Sequence, residues 1–234
     1  LFNFVKDKRK VSYAASIGSY EVSNGDKLIS ALSSFNYLSL REDDSVNSIS
    51  KILDREVSHV LDPTLLYDKK DWISMLNLSN SNTNNNKYIF LYAYEKDKIF
   101  VEAVNSFSEK LGIDVIIVDQ DPFISFNVTR HYKSASPKLF LSLLLNAELI
   151  ITNSFHGTTF SVNFEKSFYT IIPPSSTNRV ISFLSSVGLS DRLISNKNQL
   201  NKIYHDQHQD FTEARQKLAK LRNLSLEYLN RALK

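Results

Sequence analysis

The feature that most constrains the fold is a regular alternation of short apolar segments with longer amphipathic ones. The short segments are rich in β-branched and aromatic residues and nearly continuous in hydrophobicity, which is typical of strands buried on both faces. They comprise residues 10–16, 36–40, 57–61, 88–94, 114–118, 149–152 and 168–172. Strands that alternate with helices at this spacing predict an α/β fold, with parallel sheets and helices on both faces.

The helix predictions rest on periodicity and on start signals. Val46, Ile49 and Leu53 recur at the spacing of one helix face. Ser136 followed by Pro137 is typical of a capped helix start, because proline fits the first helical position. Helices are predicted over residues 43–53, 97–111, 136–146 and 209–233.

A polar, low-complexity stretch divides the chain. LNLSNSNTNNN, residues 76–86, has almost no apolar side chain to bury, which indicates a linker or an exposed loop. We therefore predict a Rossmann-like N-terminal lobe at 1–76, a polar linker at 77–86, a donor-binding Rossmann-like lobe at 87–200 and a helical segment at 201–234. The first lobe holds three predicted strands, fewer than a doubly wound lobe usually has, so we expect it to be incomplete.

Composition excludes several classes of function. The chain has no cysteine, which excludes disulfides, thiolate catalysis and cysteine-based zinc sites. Its net charge is +3 with the charges interspersed, so no basic block indicates a nucleic-acid partner. No apolar run approaches the roughly 20 residues that cross a bilayer. A cytoplasmic protein without a transmembrane segment is expected, with no metal site.

The strongest candidate site is ELIITNSFHGTTFSVNF, residues 148–164. Here an apolar strand runs into a polar turn, and a helix is predicted to begin near Phe155. Ligands of parallel sheets collect outside the carboxyl ends of the strands. A helix that begins there offers unpaired backbone N–H groups and the positive end of its dipole. The segment therefore predicts an anion site.

Individual residues of this segment have the chemistry such a site needs. Asn153 or Ser154 suits the helix cap, and Gly157 lets a ligand approach the backbone closely. His156 lies in the first turn, where it can donate a proton or pair with a phosphate. The alternative is a capped helix with a packed histidine.

A second segment, FNYLSLREDDSVNSISKIL, has the same layout. Arg41 follows a strand, and Asp43 or Asp44 caps the next helix. A guanidinium binds carboxylate or phosphate through two parallel hydrogen bonds. The alternative is local pairing with Glu42 or Asp44. If the two lobes face each other, Arg41 and His156 meet across one cleft and can hold a small dianion.

Weaker candidates lie elsewhere. Arg179 precedes an apolar helix stripe and either reaches the anion site or is a helix-start charge. A loop predicted at residues 131–133 either lines an acceptor site or is mobile surface. His205 and His208 have a spacing that is weak evidence for a metal, and His59 is expected in the core. No glycine-rich phosphate loop is present, which argues against a Rossmann dehydrogenase or P-loop NTPase.

Four runs resemble one family in its own order, over residues 11–195. ITNSFHGTTFSVNFEKSF resembles the T-N/D-S-F-H-G signature of the polysaccharide pyruvyl transferase family. SLREDDSVNSI resembles that family's S-x-R-E-x-x-S segment, and VLDPTLL its D-P-T/V strand end. NRVISFLSSVGLSDRLI resembles its late helix. Family members usually begin with a further strand and glycine turn, so the resemblance indicates a fragment or a divergent member.

The resemblance implies a GT-B-like pair of Rossmann-type lobes. It also implies transfer of pyruvate from phosphoenolpyruvate to a sugar of a bacterial cell-surface polysaccharide, such as a capsule or exopolysaccharide, forming a cyclic ketal. The family's phosphoenolpyruvate-site histidine and arginine correspond to His156 and Arg41, and Glu42 is the third expected catalytic residue, orienting Arg41 or acting as a base. The expected substrate-binding residues are Asn153, Ser154, Gly157, Thr158 and Arg179.

No cofactor is expected beyond phosphoenolpyruvate as donor. The acceptor is expected to be a glycan or a lipid-linked oligosaccharide, which would place the protein in the cytoplasm or peripherally at the inner face of the membrane. Two alternatives stay open: a GT-B glycosyltransferase that uses a nucleotide sugar, and a truncated, non-catalytic glycan-binding domain.

Overall fold

A computed structural model of the chain describes residues 4–5, 7–17, 27–79, 87–121, 124, 126–172, 178–203 and 209–234. The strands are β1 Val11–Ala15, β2 Tyr37–Leu40, β3 Ser58–His59, β4 Tyr88–Tyr92, β5 Asp114–Val118, β6 Arg130–Tyr132, β7 Leu149–Thr152, β8 Phe168–Ile171 and β9 Leu193–Ile194. The helices are α1 Lys27–Ser33, α2 Asp43–Leu53, α3 Lys69–Leu76, α4 Lys98–Leu111, α5 Pro137–Asn146, α6 Phe155–Asn163, α7 Asn178–Val187, α8 Lys197–Ile203 and α9 Thr212–Leu233.

The chain divides into two compact units that are discontinuous in sequence. The first comprises Leu1–Leu66, Thr177–Val187 and Arg215–Lys234, and the second Tyr67–Ser176 and Gly188–Ala214. The sequence predicts one continuous stretch for each lobe, ending at residue 76 for the first. In the structure α3 belongs to the second unit, while α7 and most of α9 belong to the first. Residues 80–86 of the predicted linker lie outside the described residues.

The first unit is built on a parallel sheet in the order β1-β2-β3. Apolar side chains of β2 and α2, among them Leu40 and Ile49, are fully buried between sheet and helix. On the sheet, α9 contributes Tyr228, whose hydroxyl donates to the Ser12 carbonyl at 2.7 Å. Ser225 accepts a hydrogen bond from the Leu61 N–H at 2.9 Å. The long C-terminal helix predicted from the sequence is thereby an integral part of this unit.

The second unit holds six parallel strands in the order β6-β5-β4-β7-β8-β9. The central strands are buried on both faces, as their unbroken apolar runs predict; Ile89, Phe90 and Ile150 are fully buried. From β4 the chain moves outward to β5 and β6, then returns to add β7 on the other side of β4. The carboxyl ends of β4 and β7 thus form a topological switch point, where open α/β sheets bind ligands.

Most predicted elements are confirmed, with ends shifted by a few residues. The strand at 114–118 and the strand at 149–152 have the predicted bounds, and Ser136 caps α5 with its side chain, which accepts from the Leu139 N–H. The prediction of a loop at 131–133 is wrong for its first two residues, because they belong to the edge strand Arg130–Tyr132. This strand has no apolar run by which the sequence would indicate it. Within the described residues, none of the helices combines the length and apolarity needed to cross a bilayer.

Candidate functional site

A cavity of about 600 Å³ opens at the switch point of the second unit's sheet. Its walls come from the residues that follow β4, β5 and β6 and from the first turns of α5 and α6. They are Tyr92, Ala93, Tyr94, Val118, Asp119, Gln120, Lys133, Ser134, Ala135, Pro137, Phe140 and His156. The volume lies in the range of small-molecule sites, and its position is the one that the parallel sheet dictates.

Thr152, the last residue of β7, locks the turn that leads to His156. Its hydroxyl donates to the Tyr92 carbonyl at 2.5 Å and accepts from the Ser154 N–H at 3.0 Å. One buried hydroxyl therefore ties the end of β7 to the end of β4 and fixes the backbone that enters α6. The threonine is fully buried, so these bonds are not exchanged with water.

The position of the Thr152 side chain requires a glycine at residue 157. A Cβ at Gly157 would lie 2.2 Å from Oγ1 of Thr152 and 2.9 Å from its Cβ. The sequence suggests that the glycine admits a ligand to the backbone. In the structure the position of its absent Cβ is taken by the threonine side chain, so Gly157 lets α6 begin close against β7, and ligand approach to its backbone stays a prediction.

Asn153 fastens the loop after β4 to the same turn. Its Oδ1 accepts from the Tyr94 N–H at 2.8 Å, and its Nδ2 donates to the Glu95 carbonyl at 2.5 Å. Both the oxygen and the nitrogen of the side-chain amide are therefore hydrogen-bonded to backbone groups. The side chain that the sequence assigns to substrate binding thus holds the two sides of the switch point together.

The start of α6 retains hydrogen-bonding capacity. Ser154 occupies the N-cap position in extended geometry but makes no side-chain cap bond. It is 1% exposed, and its Oγ has no partner among the described residues. The N–H groups of a first helical turn have no intrahelical acceptor, and the helix dipole is positive there. Thr158 does not add to this capacity, because its buried hydroxyl pairs with the Ser154 carbonyl at 3.0 Å and with Thr170 at 2.9 Å.

His156 and Lys133 place two basic side chains on the cavity wall. His156 is half-buried in the first turn of α6, with its ring against that of Phe155 at 5.6 Å between centroids. Lys133 is exposed directly after β6. The sequence allows Lys133 either to line an acceptor site or to lie on a mobile surface; the order of the strands shows that the end of β6 borders the same cavity as α6.

Asp119 lines the cavity at the end of β5 and is held by an ion pair. Its Oδ2 pairs with Lys96, which also lies 3.4 Å from the Asp121 carboxylate. Its Oδ1 accepts from the Asp121 N–H at 2.8 Å. The carbonyl of Asp119 lies 2.8 Å from Nε2 of His131. These contacts fix the loops after β4 and β5 relative to each other.

Aromatic rings form another wall of the cavity. The ring of Tyr92 lies edge-on to Phe140 at 4.8 Å and tilted to Tyr94 at 5.7 Å, with 3.4 Å between the two tyrosine hydroxyls. Burial, and then the hydrogen bond with Tyr94, raises the pKa of Tyr92 to about 12. At neutral pH the phenol is protonated, as an ordinary tyrosine is, and can both donate and accept hydrogen bonds.

The first unit carries Arg41 at the carboxyl end of β2, as predicted. Its Nη1 lies 2.6 Å from the Asp62 carboxylate, and its Nε lies 3.6 Å from Glu42. Glu42 is 1% exposed and also accepts from Ser16 Oγ at 2.5 Å. The local partner that the sequence offered as an alternative, Glu42, is present, but the closer carboxylate, Asp62, comes from beyond β3. Glu42 is thus buried beside Arg41, where it can orient the guanidinium; its role as a base stays a prediction.

The remaining candidates differ in their surroundings. Arg179 lies at the start of α7 in the first unit, and its Nε is buried without a hydrogen-bond partner among the described residues. His59 is half-buried in β3, 3.9 Å from the Asp43 carboxylate. His205 and His208 lie outside the described residues. Within the described ranges, no group of three or more His, Asp or Glu side chains is placed to hold a metal ion.

Arg41 and Arg179 belong to the first unit and His156 to the second, so their convergence on one ligand stays a prediction. The two units present different charged groups. The first presents a guanidinium fixed by two carboxylates at its strand ends. The second presents a helix start, a histidine and a lysine around a cavity.

Comparisons with known proteins bear on both units. The family profile described as polysaccharide pyruvyl transferase matches residues 1–175. A search of curated protein sequences finds no significant match.

Among solved structures, the N-terminal domain of Candida albicans trehalose-6-phosphate phosphatase is similar with a TM-score of 0.52 and 8% identity, over 91% of this chain and 62% of that one. A trehalose-6-phosphate synthase has a TM-score of 0.51 and 8% identity, over 87% of this chain and 59% of that one. An O-GlcNAc transferase variant from Thermobaculum terrenum has a TM-score of 0.43 and 10% identity, over 86% of this chain and 42% of that one.

The chain therefore spans about three fifths of the length of the first two structures. At this identity the likeness shows the fold alone. The predicted class, α/β with parallel sheets of the GT-B-like kind and a long C-terminal helix, is confirmed.

Proposed function

Because the chain belongs to the polysaccharide pyruvyl transferase family, we propose that it transfers pyruvate from phosphoenolpyruvate to a sugar of a cell-surface polysaccharide or its precursor, forming a pyruvate ketal. One observation carries the proposal. The run T-N-S-F-H-G ends a central strand and begins α6 at the sheet's switch point, and its histidine lines the cavity there.

The donor's charge suits the start of α6. Phosphoenolpyruvate carries about three negative charges at neutral pH, so its site needs cations and N–H donors. The first turn of α6 offers backbone N–H groups and the positive end of the helix dipole. His156 and Lys133 add side-chain donors on the same cavity. Arg41 would contribute from the first unit, held in orientation by Glu42 and Asp62.

The proposed chemistry needs one acid and one well-held leaving group. A proton is added to the methylene carbon of phosphoenolpyruvate, and the central carbon gains oxocarbenium character. A sugar hydroxyl attacks that carbon and its proton returns to the acid, the carbon–oxygen bond to phosphate breaks, and a second hydroxyl closes the ketal while its proton passes to the released phosphate. The products are the pyruvate ketal and inorganic phosphate. His156 would supply the proton or stabilise the departing phosphate.

The test is a phosphate-release assay with phosphoenolpyruvate and a panel of glycan acceptors, run on the wild type and on His156→Ala. We expect acceptor-dependent phosphate release and a loss of about 10²–10⁴-fold in kcat for the variant, the range for removal of a general acid. His59→Ala is the matched control, because His59 is also half-buried but does not line the cavity. Unchanged turnover in folded His156→Ala protein would overturn the role of His156.

A thermal-shift comparison tests the donor directly. A ligand that binds only the folded state raises the melting temperature. We expect phosphoenolpyruvate to protect the protein and a uridine-diphosphate sugar not to protect it. The reverse result would identify a nucleotide-sugar glycosyltransferase instead. Protection by glycans alone would indicate a non-catalytic binding domain.

A further inference from the structure

Tyr94 is a large aromatic side chain that is exposed and yet held in place. It is 68% exposed. Its backbone N–H is fixed by Asn153, and its ring and hydroxyl lie against those of Tyr92. Exposed apolar side chains that stand alone need no explanation, but this one lines a concave site. The anchored backbone and the contact with Tyr92 limit the positions of the ring, so it loses less conformational entropy when a ligand stacks on it.

Side chains that can form hydrogen bonds with sugar hydroxyls line the same cavity. Each carboxylate oxygen of Asp119 uses one acceptor position internally, on Lys96 or the Asp121 N–H, and a carboxylate has about four such positions. Gln120 is exposed on the cavity wall beside it. A pyranose ring has the complementary form, since its C–H groups present an apolar face and its hydroxyls lie around the edge.

The cavity is larger than the donor alone requires. Its volume of about 600 Å³ lies within the range of roughly 300–1,000 Å³ for small-molecule sites. Phosphoenolpyruvate, with only about ten non-hydrogen atoms, is smaller than the drug-sized ligands that fill such sites.

We propose that Tyr94, backed by Tyr92 and Phe140, forms a stacking subsite for the pyranose ring of the acceptor, with Asp119 accepting hydrogen bonds from its hydroxyls. The inference rests on the proposed function, because it names where the acceptor of that reaction binds. Asn153 acts here as a positioning residue, since its amide holds the loop that carries Tyr94.

Steady-state kinetics of phosphate release test the subsite. Tyr94→Ala should raise the KM for the acceptor about tenfold, near the lower end of the effects seen when a stacking aromatic side chain is removed, with the KM for phosphoenolpyruvate unchanged. Tyr94→Phe keeps the ring and should retain a KM near that of the wild type. Tyr67→Ala is the matched control, because Tyr67 is also a half-exposed tyrosine of this unit but does not line the cavity. An unchanged acceptor KM in Tyr94→Ala would overturn the subsite while leaving the proposed transfer intact.

Saturation-transfer NMR tests the subsite without turnover. The probes are the methyl pyranosides of glucose, galactose and mannose, with uridine monophosphate for comparison. We expect transfer to ring protons of at least one pyranoside in the wild type and in Tyr67→Ala, and its loss in Tyr94→Ala. If the pyranoside signal depends on Tyr94 in this way but no phosphate is released in the assay, the proposed donor is contradicted and the subsite is retained. Tyr94-dependent binding of uridine monophosphate, with no pyranoside binding, would assign the ring to a nucleobase and refute the proposal.

Discussion

Replacing Gly157 with alanine should destabilise the protein, although the same change in an ordinary helix stabilises it. Alanine gains about 1 kcal/mol over glycine in a helix interior. Here, however, the new Cβ would lie 2.2 Å from Thr152 Oγ1. Either α6 shifts, at an overpacking cost of about 1–3 kcal/mol, or the threonine rotates and loses its bonds to Tyr92 and Ser154, at about 0.5–1.5 kcal/mol each.

Both routes cost about 2 kcal/mol, so the net loss after the helix gain is about 1 kcal/mol. For a protein of this size that lowers the melting temperature by about 2–4 °C. The sign is the informative result, and it can be measured by thermal and urea unfolding of Gly157→Ala followed by circular dichroism.

The Thr152→Ala background supplies the control for this prediction. It removes Oγ1, at 2.2 Å from the new Cβ, and the methyl carbon, at 3.2 Å; of the three nearest contacts, the one with the threonine Cβ at 2.9 Å stays. Gly157→Ala should therefore cost less in this background, with a coupling of about 1 kcal/mol. The reasoning fails if Gly157→Ala stabilises the wild type, or if its cost is the same in both backgrounds.

Two further perturbations probe buried groups. Burial raises the pKa of Tyr88 to about 12, above its ordinary value of 10.0. Between these two values the unfolded chain releases the phenolic proton while the folded chain keeps it. The protonated phenol therefore contributes its full stability below pH 10, and this stability is lost as the pH rises from 10 to 12. Urea unfolding across this window should show a steeper decline for the wild type than for Tyr88→Phe, and equal slopes would contradict the assignment. Asp62→Asn should cost about 2 kcal/mol, within the range for a hydrogen bond to a charged group, because Asp62 is 4% exposed and holds Arg41 at 2.6 Å, while Glu42 still neutralises the guanidinium. The exposed Asp44→Asn should cost less than 1 kcal/mol in the same unfolding assay, and comparable losses in both variants would show that the pair with Arg41 contributes little.

The fold class and the local signals of the site were predictable because they depend on near neighbours. Strand β7 is a run of apolar residues buried on both faces, and the polar turn and the helix start that follow it are local events. Sequence reasoning therefore located His156 in the first turn of a helix at a strand end. It failed where a strand lacks an apolar pattern, as at Arg130–Tyr132, which is an edge strand of polar and aromatic residues.

The partners of the site residues were not predictable, because they lie far apart along the chain. Arg41 pairs most closely with Asp62, which follows the neighbouring strand β3, and Asn153 bonds to backbone groups of Tyr94 and Glu95. The sequence predicts Asn153 as a ligand-binding side chain. Its bonds to the loop after β4 could not be predicted, because nothing in the residues around Asn153 shows that β4 and β7 are adjacent.

What the sequence by itself determined is the alternation of strands and helices, the parallel sheets that follow from it, and the polar turns at the strand ends. These depend on burial periodicity and on hydrogen bonds between residues a few positions apart. The tertiary structure alone decided the order β6-β5-β4-β7-β8-β9, and with it which strand ends border one cavity. Strand order is set by which apolar faces pack together over long separations in sequence, so Lys133, Tyr94 and His156 become neighbours of one cavity only once the sheet has formed.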